Sequence, residues 1–228
     1  MVKVEAVLET MQNNVAAQDN GLTRALAKFY LWVHSMDAKY GRPNPVKIPS
    51  IQQQRLFAIV LLACQTGITF TGALVRVTGS GLGCTTWPNC QPGSLIPVAG
   101  TEPWIHQLIE FGNRLLTFVL IATFVVTFIA LIRAGRRINI LHLALVQGVG
   151  IIAQAVIGGV TVWLDLAWWM VIAHSIPSMI LVFFAAVLVV RIGEPDDGAD
   201  KFMLPRPIVN LMHGLAVALF GVLITPAP

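Results

Sequence analysis

Hydrophobic positions along this chain fall into long unbroken blocks, not into the alternation of a water-facing fold. Beyond residue 50, apolar segments cover about 56–75, 105–132, 140–164 and 167–190, and a fifth begins near 208. A helix needs about 20 residues to cross a hydrocarbon core, and each of the first four blocks supplies that length. The predicted fold class is all-α: a polytopic membrane protein whose residues 51–192 form a transmembrane four-helix bundle, followed by an incomplete fifth helix over 208–228. From Ile208 to Thr225 that last block is barely a span, and Pro226-Ala-Pro228 gives it no polar flank, so the pattern predicts a truncation. Residues 193–207 form a loop between the fourth and fifth helices, and 76–104 a long loop between the first and second.

Residues 1–50 are polar with one exception. Leu22, Leu26, Phe29, Tyr30 and Val33 share a helical face that excludes Arg24 and Lys28. Two readings fit: a helix lying in the membrane interface, or a short cytoplasmic helix without lipid contact. Gly41-Arg-Pro-Asn-Pro45 breaks the chain before the first span.

Composition agrees with the pattern. The chain is 56% hydrophobic and 11% charged, against about a quarter charged in a soluble domain. Most of its surface must therefore face lipid. The net charge of +4 requires no nucleic acid. Lys39, Arg42, Lys47 and Arg55 precede the first span, Arg133, Arg136 and Arg137 lie between the second and third, and Arg191, Lys201 and Arg206 follow the fourth. Only Asp165 separates the third from the fourth. The positive-inside rule then predicts a cytoplasmic N-terminus and an extracytoplasmic 76–104 loop. Glu5 and Glu9, with no apolar core, exclude a cleavable signal peptide, so the first span does the targeting.

Candidate chemistry gathers around that loop. Cys84 and Cys90 lie within it, in a compartment that permits disulfides; a structural bridge is the plainer reading and a redox pair the other. Cys64 reads as a small packed side chain. Gly79-Ser-Gly-Leu-Gly83 lacks the lysine and the following helix of a phosphate-binding loop. Its glycines supply sharp turns or let backbone approach a flat ligand edge. His106, Glu110, Asn113 and Arg114 are three and four residues apart, so they share a helix face at the start of the second span. Such a cluster turns into the bundle, or else Glu110 and Arg114 merely neutralise each other. His174 sits about two turns into the fourth span, at a depth like that of Glu110, and reads as a metal or haem ligand, a proton relay or an interhelical hydrogen-bond donor. Pro177 frees a backbone carbonyl beside it. Gly148, Gly150, Gly158 and Gly159 allow close approach of a helix or a planar cofactor. His34, His142 and His213 lie near interfaces and read as structural.

Gly72-Ala-Leu-Val-Arg-Val-Thr-Gly-Ser-Gly-Leu-Gly-Cys84, then Trp87-Pro-Asn-Cys90, then Ile109-Glu-Phe-Gly-Asn-Arg114, resembles the haem A synthase family. Gly158-Gly-Val-Thr161 and His174 fit the same resemblance, which covers about residues 51–225, the N-terminal half of that family. It implies eight spans in two pseudo-symmetric halves, with substrate haem O in the first and a haem b cofactor in the second. The implied reaction oxidises the C8 methyl of haem O to a formyl group for terminal oxidases. Carried over by position, Glu110 is the catalytic acid, Cys84 and Cys90 the loop disulfide, and His174 an axial iron ligand. The family's other axial histidine falls at Asn113, a departure that resembles actinobacterial members. His106, seven residues earlier on the same face, is then expected to ligate the haem or touch its edge, with Arg76 and Arg114 near its propionates. Implied partners are haem O, membrane lipid, a haem O synthase, oxidase assembly factors or a second copy, all in a bacterial cell membrane. The competing expectation is a non-catalytic haem-binding or oxidase-assembly membrane protein.

Overall fold

A computed structural model describes residues 48–194, together with Gly21, Arg24, Ala25, Lys28, Phe29, Leu31, Trp32, Asn210 and Gly214. Four helices result: α1 (Ile51–Val77), α2 (Trp104–Arg133), α3 (Ile138–Trp163) and α4 (Trp168–Ile192). All four are long and apolar enough to cross a membrane. The expected amphipathic helix over 22–34 lies mostly outside the described residues; those described are helical, and the Phe29 ring stacks on Phe128 of α2. The 193–207 loop and the fifth helix lie outside them too, apart from Gly193 and Glu194 at its start and the helical Asn210 and Gly214.

The helix ends follow local chemistry. Ser50 caps α1: its hydroxyl accepts from the Gln53 N–H, and the Gln53 side chain accepts from the Ser50 N–H. α2 starts directly after Pro103, whose fixed φ suits a helix entry. The α3–α4 turn is tight, and Asp165 and Leu166 take left-handed backbone with φ of 48° and 57°. For a leucine that conformation costs about 1–2 kcal/mol, so something must hold it there.

Short turns join α2 to α3 and α3 to α4, which makes these pairs antiparallel neighbours. α4 closes back onto α1, so each helix packs against two others in an up-down-up-down bundle. Phe70, Phe118, Ile152 and Phe183, one from each helix, are exposed where lipid would lie. Trp104, Trp163, Trp168 and Trp169 are all exposed at one end, the loop end, as an interfacial aromatic belt would be. The other end carries arginines. There Arg136 is buried, and its guanidinium donates to the carbonyls of Ile192 and Glu194 and to the Gln54 side chain. It thereby caps the last turn of α4 and ties it to α1. Arg137 and Arg191 both pair with Glu194.

The dry core is lopsided. Its members are Ala58 and Leu61 of α1, Leu120, Leu131 and Ile132 of α2, Ile138, Ile140, Leu141, Ala144 and Ile151 of α3, and Leu188 and Ile192 of α4. These sit mainly in the half of the bundle nearest the arginine end. Toward the loop end the facing residues are smaller or polar and only half-buried, among them Thr71, Asn113, Gly158 and His174.

Candidate functional site

The loop from Thr78 to Pro103 folds back over the bundle and is fastened to α2 and α3 by side chains buried in otherwise apolar helices. Its first part explains the glycine run. Gly79 takes φ +64° as α1 ends, a left-handed turn that glycine accepts without strain. A Cβ on Gly81 would come within 2.6 Å of Leu166, so this glycine seats the left-handed leucine of the opposite turn. A Cβ on Gly83 would come within 2.4 Å of the His106 carbonyl, so the loop backbone lies directly on the α2 backbone. Two of the three glycines thus serve close approach, and the surface approached is protein.

Glu110 and Arg114 hold the next part. Glu110 is buried on α2, about 9 Å along the helix from Trp104. One carboxylate oxygen accepts from the Cys84 N–H at 2.8 Å, and the other pairs with the Arg114 guanidinium. Arg114 in turn donates to the carbonyls of Cys84, Thr86 and Asn89 at 3.2, 2.9 and 3.0 Å. Charged donors and acceptors make the stronger hydrogen bonds, and here they act where water is scarce. Cys84 and Cys90 are both buried and joined through their sulfurs, their Cα atoms 4.2 Å apart.

Two glutamines that drew no attention in the sequence complete the fastening. Gln107, fully buried, accepts from the Val98 N–H and donates toward the carbonyls of Val98 and Glu102. Gln91 donates to the Gly83 carbonyl and reaches Gln107, while accepting from Thr85. Their signal was weak but present: each is an uncharged polar residue in a place that must satisfy irregular backbone away from water. Gln107 also stands three residues before Glu110, on the same face of α2.

The remaining predicted residues separate into two places. His106 stays at the loop, its Nδ1 2.7 Å from the Ser80 hydroxyl, which lies 2.7 Å from that of Thr78. The Thr78 hydroxyl also reaches the Leu74 carbonyl at 2.8 Å. When Thr78 donates there, Ser80 donates to Thr78 and His106 to Ser80, leaving the Nε2 lone pair unclaimed by this chain of bonds. Asn113 faces α1 instead, and its Oδ1 accepts from Thr71 at 2.6 Å. Arg76 is exposed in the last turn of α1, outside the Glu110 cluster.

His174 stands apart on α4, about 9 Å along the helix from Trp168. Its ring rests on Gly158 of α3, where a Cβ would come within 3.2 Å of Cε1. Nδ1 is buried with no hydrogen-bond partner. A buried imidazole nitrogen without a partner is costly to keep. Nearby, the Ser178 hydroxyl lies 2.8 Å from the His174 carbonyl and 2.9 Å from Gln154. Among the described residues no three His, Cys, Asp or Glu converge as a cage for a bare metal ion. An iron porphyrin brings its own ring nitrogens and asks the protein for axial ligands only, which one histidine in an apolar span can begin to satisfy. The residues present fit such a group.

These features define a multi-pass helical membrane protein with a polar, loop-capped cluster of side chains at one end of a four-helix bundle. The chain belongs to the cytochrome oxidase assembly protein family, which it matches over residues 55–226 and which includes the haem A synthases. Relatives named haem A synthase include those of Lysinibacillus sphaericus (31% identical, covering 74% of this chain and 54% of the relative), Listeria welshimeri (31%, covering 64% and 48%) and Geobacillus thermodenitrificans (25%, covering 64% and 44%). The chain thus spans about half the length of the curated relatives it matches. No solved structure matches it.

Proposed function

We propose that this chain forms the haem O-binding half of a haem A synthase-type oxidoreductase in a bacterial cell membrane, with its N-terminus in the cytoplasm and the Cys84–Cys90 loop outside. The carrying observation is His174: an imidazole whose buried Nδ1 has no partner, seated on Gly158. It would hold the substrate haem through its iron. The resemblance assigns the haem b cofactor to a second half, so the residues argued from this chain are those at the substrate.

Turning a methyl group into a formyl group passes four electrons to an external electron acceptor, releases four protons and takes up the oxygen of one water. The protein must hold the porphyrin edge still, admit little water and give protons a route out. Half-buried residues below the loop would wall a porphyrin entering from lipid, and Arg76, exposed at the loop end, would meet its propionates. Glu110 keeps the loop closed over that end through Cys84 and Arg114. Its carboxylate is the acid nearest the loop–bundle seam and the residue through which protons pass when that clamp loosens. His106 offers Nε2 at the same seam and contacts the haem edge. Cys84 and Cys90 work as a structural disulfide that shortens the loop.

Asn113 favours a second reading, a haem carrier or oxidase-assembly protein without catalysis. It stands where the resemblance expects a histidine, and its amide oxygen is already taken by Thr71. One experiment separates the two. The chain is co-expressed with the C-terminal half of a haem A synthase and a haem O supply, purified, and its haems identified by mass. Haem A in the wild type, absent in Glu110→Ala, supports the enzyme. Bound haem O without conversion supports the carrier, and absence of any haem overturns both.

A further inference from the structure

We infer that Trp87, a residue of the loop, is a positioning residue for the haem site: its indole is the wedge that sets the α3 backbone on which His174 rests. This deepens the reading that His174 receives the haem, and it rests on that reading.

The indole lies where a Cβ of Gly159 would be, 2.4 Å from that position at its nearest atom. Only a residue without a side chain lets the ring sit this close to the helix axis. The Trp87 carbonyl accepts from the Trp163 indole N–H at 3.2 Å, and the two rings meet edge to face with centroids 5.6 Å apart. The loop is thereby bound to α3 by one aromatic pair, one hydrogen bond and one glycine notch. From the opposite side Arg114 of α2 holds the carbonyls of Thr86 and Asn89, which flank Trp87 and Pro88. Trp87 is therefore pressed between α2, through the loop backbone, and α3 directly.

The adjacent residue, Gly158, makes the same allowance for His174, whose Cε1 would lie 3.2 Å from its Cβ. Successive helical residues point about 100° apart, so the glycine pair offers one notch to the loop and the next to α4. No hydrogen bond within the protein fixes the His174 ring through Nδ1. Packing against Gly158 must then set its orientation, and a shift of the α3 backbone at 158–159 re-aims the ring. Contacts run without a gap from Glu110 through Arg114, Thr86 and Asn89, Trp87 and Gly159 to Gly158 and His174. The sequence places Trp87 and His174 far apart, and only the fold shows them acting on neighbouring residues of one helix.

The test uses the full chain in lipid nanodiscs, with ferric protohaem as the probe and its absorption spectrum as the readout. Trp87→Ala should bind protohaem about tenfold more weakly with a displaced Soret band. Gly159→Ala, which drives the ring out, should reproduce both effects, and the double variant should add little to either. Trp87→Phe should recover most of the affinity and spectrum, whereas loss of an aromatic wedge by general unfolding would not be rescued. Leu95→Ala, at an exposed site of the same loop, should match the wild type. In the haem-free protein, the His174 imidazole resonances should move in Trp87→Ala and stay in Leu95→Ala. Unchanged resonances, or wild-type affinity and spectrum in Trp87→Ala, overturn the wedge. If instead wild type and His174→Ala bind protohaem alike while the resonances do move, the functional reading falls and the wedge survives only as a structural contact, which overturns its haem-positioning role.

Discussion

Glu110 and Arg114 are one helical turn apart, yet each spends its remaining valence on the loop and not on solvent. Removing one partner leaves the other charge in a site that water reaches poorly. Glu110→Ala should therefore destabilise the folded chain by about 3 kcal/mol, and Arg114→Ala by a similar amount. The double variant should cost clearly less than the two together, as coupled residues do. Thermal unfolding in detergent measures this, and simple additivity would contradict the clamp. Gln107 makes a complementary case without charge. Gln107→Leu leaves the Val98 N–H and the Glu102 carbonyl without their Gln107 partner, for a loss of about 2 kcal/mol, and hydrogen exchange at the Val98 amide should quicken. At this scale the sequence disclosed residue types more readily than partners. An acid inside a span is conspicuous because lipid penalises it. A glutamine is not, since its value depends on which backbone groups the fold leaves unsatisfied.

The elements show the same division. The four spans were legible because lipid demands unbroken apolar helices, a constraint local enough to read residue by residue. The glycine run was legible as special but not in its purpose: whether Gly83 faces a ligand or a helix depends on where the loop lands. Gly83→Ala should push the loop off the His106 carbonyl and weaken the Cys84 N–H bond to Glu110. The expected result is faster reduction of the Cys84–Cys90 pair by a mild thiol reductant, followed by alkylation and mass measurement. An unchanged rate would show that the contact does not hold the loop. Arg136 is a second instance. Its place in a run of arginines suggested only membrane orientation, whereas its side chain closes the end of α4. Arg136→Met keeps the apolar stem but loses the cap, and should raise exchange at the α4 C-terminus while leaving the loop end unaltered. Leu166 pairs its unfavourable backbone with the notch at Gly81, a compensation between two turns far apart in the chain.

For the whole molecule, the two ends differ: Arg133, Arg136, Arg137 and Arg191 lie at one, and the loop with the exposed Trp104, Trp163, Trp168 and Trp169 at the other. The proposed orientation makes a direct prediction. After mild reduction, a membrane-impermeant maleimide should label Cys84 and Cys90 in intact cells. Labelling confined to inside-out vesicles would reverse the topology. Amino-acid order alone determined that the chain is helical and membrane-embedded, which family it resembles, and that its chemistry gathers near the first loop. Those properties follow from lipid solvation and from short motifs, both of which are local. Tertiary structure decided the rest. It turned Glu110, Arg114, Gln91 and Gln107 into loop fasteners, gave Asn113 to Thr71, and set Trp87 and His174 on adjacent glycines. It also set most of the contiguous apolar core in the half of the bundle nearest the arginine end. Such outcomes depend on which distant surfaces meet and on what remains to satisfy each buried polar group, and no run of neighbouring residues encodes that by itself.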